Sequence, residues 1–169
     1  MVAIKTCWSP CIVHNNVKDG SIAVAGYTIA ASLVSITFTI YAMNGGESSQ
    51  LYSPFFEADV RTSMQYYGVL TVIFFTCMIL SAIGIIYGIR EELRGFLLPW
   101  LFGMSLIVLF QIVWPIWLMY AYYIYIQVFF FAIVYWLWAA YNYYCWVCVY
   151  SQYMVIYRMQ SPNIELLYP

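Results

Sequence analysis

Four long apolar blocks, separated by short polar or charged stretches, make up most of this chain. A helix rises about 1.5 Å per residue, so about 20 apolar residues cross the hydrocarbon core of a bilayer. The first block, 21–43, carries no charge, and the polar stretch after it holds Gly45, Gly46, Glu47, Pro54, Glu57, Asp59 and Arg61. The second block, 66–89, runs into a charged turn, Arg-Glu-Glu-Leu-Arg-Gly, at 90–95. After Arg94 no charge recurs until Arg158, a stretch too long for one span but right for two. Their reversal is expected within 119–124, where Tyr120, Tyr122 and Tyr123 cluster. Tyrosine favours that depth because its ring is apolar and its hydroxyl seeks water. The last two spans are then 96–120 and 123–149. The pattern predicts an all-α integral membrane protein, a bundle of four transmembrane helices. Segment 1–20 precedes the membrane domain 21–157, and 158–169 forms a tail.

Composition identifies the solvent. The chain is 65% hydrophobic and 8% charged, whereas a soluble domain carries about 25% charged residues. With so few charges it cannot coat a water-facing surface, and the bilayer is its expected partner. A net charge of -1 without basic clusters excludes nucleic acid. The first twenty residues include Lys5, His14, Lys18 and Asp19 and lack the apolar run of a cleavable signal, so the first block is expected to act as an uncleaved anchor. Lys5, Lys18, Arg90, Arg94 and Arg158 fall on one side of the spans and only Arg61 on the other. Cytoplasmic loops are the ones enriched in Lys and Arg, so both termini are expected in the cytoplasm.

Spans in lipid cannot associate by the hydrophobic effect and need close packing and polar contacts. Gly84 with Gly88, and Gly26 with Ala30, offer small residues at four-residue spacing; packing within the bundle is preferred over dimerisation, with a homo-oligomer left open. Thr28, Ser32, Ser35 and Thr39 can bond their own helix or a neighbour. Pro99 suits the first turn of the third span, while Pro115 is expected to kink that span. No ionisable group lies in any expected span, which argues against a proton relay or an ion-coupled transporter. Gln111, Gln127 and Asn142 are the strongest polar groups at membrane depth and are expected to bond neighbouring helices. Arg90, Glu91, Glu92 and Arg94 read as a salt-bridged cap on the inner turn. His14 lacks partners for acid–base or metal chemistry, and no phosphate loop or nucleophile motif occurs, so neither an enzyme nor a cofactor is expected.

The cysteines are Cys7, Cys11, Cys77, Cys145 and Cys148. None falls in an expected outer loop, so no extracellular disulfide is predicted. Cys7, Cys11, Cys145 and Cys148 flank the inner membrane boundary and are candidates for palmitoylation. The CxxxC and CxxC pairs on separate segments are thin ground for a zinc site. Tyr153 to Ile156 fits a tyrosine sorting signal, or alternatively an interfacial extension of the fourth span.

Two segments carry a family likeness. The stretch VKDGSIAVAGYTIAASLVSITFTIY, after a Cys-bearing N-terminus, resembles the first span of four-span proteins related to the lysosome-associated transmembrane family. The stretch YGIREELRGFLLPWLFGMSLIVLFQIVW resembles the same group more specifically, with a charged turn leading into a Leu-Leu-Pro-Trp start of span three. Together they cover the first two thirds of the chain. Within that group it is most similar to the small arthropod branch that includes the Pasiflora proteins. That resemblance implies a role in septate junctions, the occluding junctions of insect epithelia and barrier-forming glia, within a complex of other integral membrane proteins. Lysosomal members carry PPxY motifs; the tail RMQSPNIELLYP has none, and no acidic residue stands four positions before Leu166. Claudins have a Trp and two cysteines in a long first outer loop, and tetraspanins a large second outer loop with a CCG motif; neither is present. The expectation is a non-enzymatic tetraspan assisting a septate junction at the lateral plasma membrane. The alternative is an endosomal or lysosomal trafficking adaptor. A channel of oligomers is disfavoured by the lack of intramembrane charge.

Overall fold

A computed structural model describes residues 7–8, 13–14, 16–44, 52–53, 58–59 and 61–160, with side chains over 16–44 and 65–160. Four helices carry the architecture: α1 Val17–Met43, α2 Arg61–Arg90, α3 Leu98–Ala121 and α4 Ile126–Gln160. A 3-10 turn, Arg94–Leu97, precedes α3. Two antiparallel pairs of two-residue strands accompany them: β1 Cys7–Trp8 with β2 Val13–His14, and β3 Tyr52–Ser53 with β4 Ala58–Asp59. All four helices are long and apolar enough to cross a membrane.

Local chemistry sets the helix ends. α1 starts at Val17 because the Asn16 side chain accepts from the Lys18 amide at 3.0 Å, filling one of the orphan donors of a first turn. Asp19 in that turn complements the helix dipole. At the other end, Gln65 of α2 donates to the Met43 carbonyl at 2.7 Å, so the second helix caps the first. Pro99 sits in the first turn of α3, as expected. Pro115 lies buried inside α3, and the helix continues through it to Ala121. Nearby, the Trp136 indole donates to the Ile112 carbonyl at 3.5 Å. The α3–α4 reversal occupies residues 122–125, closed by Tyr122 N–H to the Leu118 carbonyl at 2.9 Å.

The helices pack mainly as two antiparallel pairs, α1 with α2 and α3 with α4. Glycine permits the close approaches. A Cβ on Gly68 would meet Met43 of α1 at 2.7 Å, and one on Gly103 would run into Met78 of α2. The shared core is gathered toward the end of the bundle that carries the α2–α3 turn. It comprises Val24 and Ala25, Met78 to Ile89, Leu97 to Met104, and Cys145 to Ile156, with Trp100 wholly enclosed.

α4 extends past its expected end at 149 to Gln160. Its 35 residues span about 52 Å against a hydrocarbon core of about 30 Å. The extension is held by packing. Ile156 joins the core, and the rings of Tyr143, Trp146, Tyr150, Tyr153 and Tyr157 form a stacked column with neighbouring centroids 5.1–6.4 Å apart. Offset stacking of this kind adds about 0.5–1.5 kcal/mol per pair beyond burial.

Candidate functional site

Two places concentrate polar chemistry. The first lies within the spans. The Trp138 indole donates to the Tyr27 hydroxyl at 2.8 Å, and that hydroxyl donates to Asn142 Oδ1 at 3.1 Å. Asn142 Nδ2 in turn donates to Gln111 Oε1 at 2.9 Å. This directed chain ties α1, α3 and α4 together. Gln111 is 4% exposed and Asn142 3%. Beside it, the Trp100 indole donates to Thr28 Oγ1 at 3.1 Å, while Thr28 donates to its own helix at the Val24 carbonyl. The Trp146 indole donates to the Leu101 carbonyl at 3.0 Å. Among the described residues no fully enclosed side-chain nitrogen or oxygen lacks a partner. The chain contains amides, a phenol and an indole, with no carboxylate, imidazole or ammonium. It fixes helix register and has no group suited to carrying a charge across. Gln111 and Asn142 thus occupy the interhelical role expected of them, whereas Gln127 is exposed at the start of α4.

The second place is the α2–α3 turn. The expected salt-bridged cap is replaced by a backbone device. Leu93 N–H bonds the Gly88 carbonyl at 2.8 Å, and Glu92 adopts φ 55°. These are the six-to-one bond and left-handed residue of a Schellman ending, with Glu92 where glycine is usual. Arg90, Glu91 and Glu92 are exposed. Arg94 lays its guanidinium over the Tyr157 ring, 4.8 Å from the centroid, and so ends the stacked column of α4. Gln160 Nε2 donates to the Glu92 carbonyl, fastening the last residue of α4 to the turn.

The small residues separate into two roles. A Cβ on Gly88 would stand 2.9 Å from the Leu93 carbonyl oxygen and 2.9 Å from Phe96 Cβ, so Gly88 lets the turn fold back on α2. Gly84 meets Phe96 at ordinary contact distance. Gly26 has nothing within 4 Å of a built Cβ, and both Gly26 and Ala30 are exposed, facing away from the other helices of this chain. Gly68 and Gly103 do pack closely; the pattern of four-residue spacing does not reveal them, because each is opposed by a long methionine on another helix.

Of the palmitoylation candidates, Cys145 is buried in the core and Cys148 is disulfide-bonded. Neither presents an accessible thiol, so of the four candidates these two are not open to acylation in this fold. The sulfur joined to Cys148 and the side chains of Cys7 and Cys11 lie outside the described residues. Tyr153 is half-buried in the stacked column, and Ile156 is 1% exposed. Both belong to α4, so the interfacial extension describes them and a linear signal would have to leave the core to be read. Among the described residues no group of three or more His, Cys, Asp or Glu is placed to hold a metal ion. Compared with known proteins, the chain matches no protein-family model, no curated protein and no solved structure.

Proposed function

We propose that this chain is a non-enzymatic four-span protein that acts laterally in the membrane, with both termini in the cytoplasm, to assemble or position integral membrane partners of a septate-type occluding junction. The carrying observation is the shortness of the connections on the side opposite the Arg-rich turn: 44–60 between α1 and α2, and 122–125 between α3 and α4. Connections of that length hold no folded adhesive module. The exposed faces of the spans are the surface the chain has to offer. Val17 to Tyr41 and Tyr87 to Trp114 resemble the four-span group related to the lysosome-associated family, and the general likeness of the sequence to the arthropod junctional branch of that group supplies the junction.

The endolysosomal adaptor draws less support, since Ile156 of its tyrosine signal is built into the core. The two readings separate on a truncation after Gln160, which leaves the contact of Gln160 with Glu92 in place. An insect epithelium lacking the protein should leak a fluorescent dextran between its cells, and the chain ending at residue 160 should restore the seal. A seal that stays intact without the protein, or that returns only with 161–169, would overturn the lateral reading.

A further inference from the structure

Beside the α2–α3 turn is a cavity of about 430 Å³ lined by Leu93, Arg94, Gly95, Phe96, Pro99 and Gln160. Among the described residues its lining has one cation, one amide and otherwise apolar or glycine surface, with no carboxylate. Arg94 is preset there. Its guanidinium face is occupied by the Tyr157 ring, which leaves the N–H edge for a ligand. None of the described carboxylates pairs with it. Gln160, bonded to the Glu92 carbonyl, holds the end of α4 against the turn and lines one side of the open cavity. Leu93, Phe96, Leu98 and Pro99 are exposed and lead from the cavity onto the start of α3. Lys18, Arg90 and Arg158 are exposed at the same end of the bundle, together with Asp19, Glu91 and Glu92.

We propose that this cavity binds the headgroup of an anionic phospholipid. The phosphate is held by the Arg94 N–H edge, and an acyl chain runs along Phe96 and Pro99 onto α3. A free phosphate has no use for the apolar wall, and a choline lipid, although it offers the same phosphate, brings a fixed ammonium of its own beside the guanidinium. Planar, forked donors suit phosphate oxygens. The site is independent of the junctional reading, since it requires only that this end meets a leaflet containing anionic lipid.

The test uses the full chain purified in mild detergent with equimolar phosphatidylserine and phosphatidylcholine, the retained lipid being counted by mass spectrometry of the intact protein. Wild type should retain the serine lipid over the choline lipid by about fivefold, the effect of one well-placed basic residue. Arg94→Gln should abolish the preference, while Lys18→Gln, removing an equal charge elsewhere at the same end, should leave it. Arg94→Lys guards against misfolding of the first variant: with its charge kept and its fork lost, the preference should fall to about half or less. No preference in wild type, equal losses in Arg94→Gln and Lys18→Gln, or an unchanged preference in Arg94→Lys would overturn the site. Displacement of the lipid by millimolar inorganic phosphate would overturn the phospholipid assignment and leave a free-phosphate site.

Discussion

Asn142 is the hub of the intramembrane chain, and replacing it by leucine tests the energetics of the bundle. The two side chains share one branched skeleton, so Asn142→Leu removes two interhelical hydrogen bonds, from Tyr27 and to Gln111, without opening a cavity, the bulkier methyl groups pushing those partners slightly apart. Side-chain hydrogen bonds between spans contribute on average about 0.6 kcal/mol and at most about 1.7 kcal/mol, because the separated helices find partial substitutes in the membrane. Two such bonds give about 1 kcal/mol. The Gln111 carbonyl oxygen is then left without its donor at a site only 4% exposed, and an orphaned buried group adds about 1–3 kcal/mol. The expected loss is therefore about 2–4 kcal/mol of unfolding free energy. Titration of folded protein with sodium dodecyl sulfate in mixed micelles, followed by far-UV circular dichroism, measures it. The double variant with Gln111→Leu should fall short of the summed single losses by about 0.6–1.7 kcal/mol, since the shared bond is lost only once. Additivity within about 0.3 kcal/mol, or an Asn142→Leu variant as stable as wild type, would refute the hub.

Three further outcomes follow from particular contacts. Gly88→Ala should destabilise by about 1–3 kcal/mol in the same titration, because the new methyl group meets the Leu93 carbonyl and Phe96 at 2.9 Å; Gly26→Ala, with nothing within 4 Å, should be neutral or slightly stabilising. Glu92→Gly should stabilise by about 1 kcal/mol by removing the side chain from a φ of 55°. Cys148 is wholly buried and disulfide-bonded. The chain denatured without reductant should therefore show two fewer reactive thiols than after reduction; an equal thiol count would remove the bond.

The spans and the tyrosine-marked reversal were legible because lipid imposes one requirement on every residue along a span, and hydropathy records it directly. The end of α4 was not. The span was expected to end at 149, yet the helix continues because Tyr150, Tyr153 and Tyr157 stack and Ile156 meets a core built from other helices. Gly26 and Ala30 show a similar limit. Four-residue spacing puts two small residues on one face of α1, but whether that face meets a neighbour depends on the rotation of the helix, which is set by Val24, Ala25, Thr28 and Ser32 packing inward. Asn142 and Gln111 were recognisable as bonding groups, while the partner Tyr27 stands 115 residues from Asn142, beyond any local pattern. At the α2–α3 turn, alternating charges suggested ion pairs; at an exposed boundary such pairs are worth about 0–1 kcal/mol, and backbone capping with a ring beneath Arg94 took their place.

The central claim, lateral action at an occluding junction, is tested most directly by imaging the endogenously tagged protein in a polarised insect epithelium against septate-junction and lysosomal markers. The account predicts a band along the lateral membrane that spreads when core junction proteins are removed. Puncta confined to acidic organelles would contradict it.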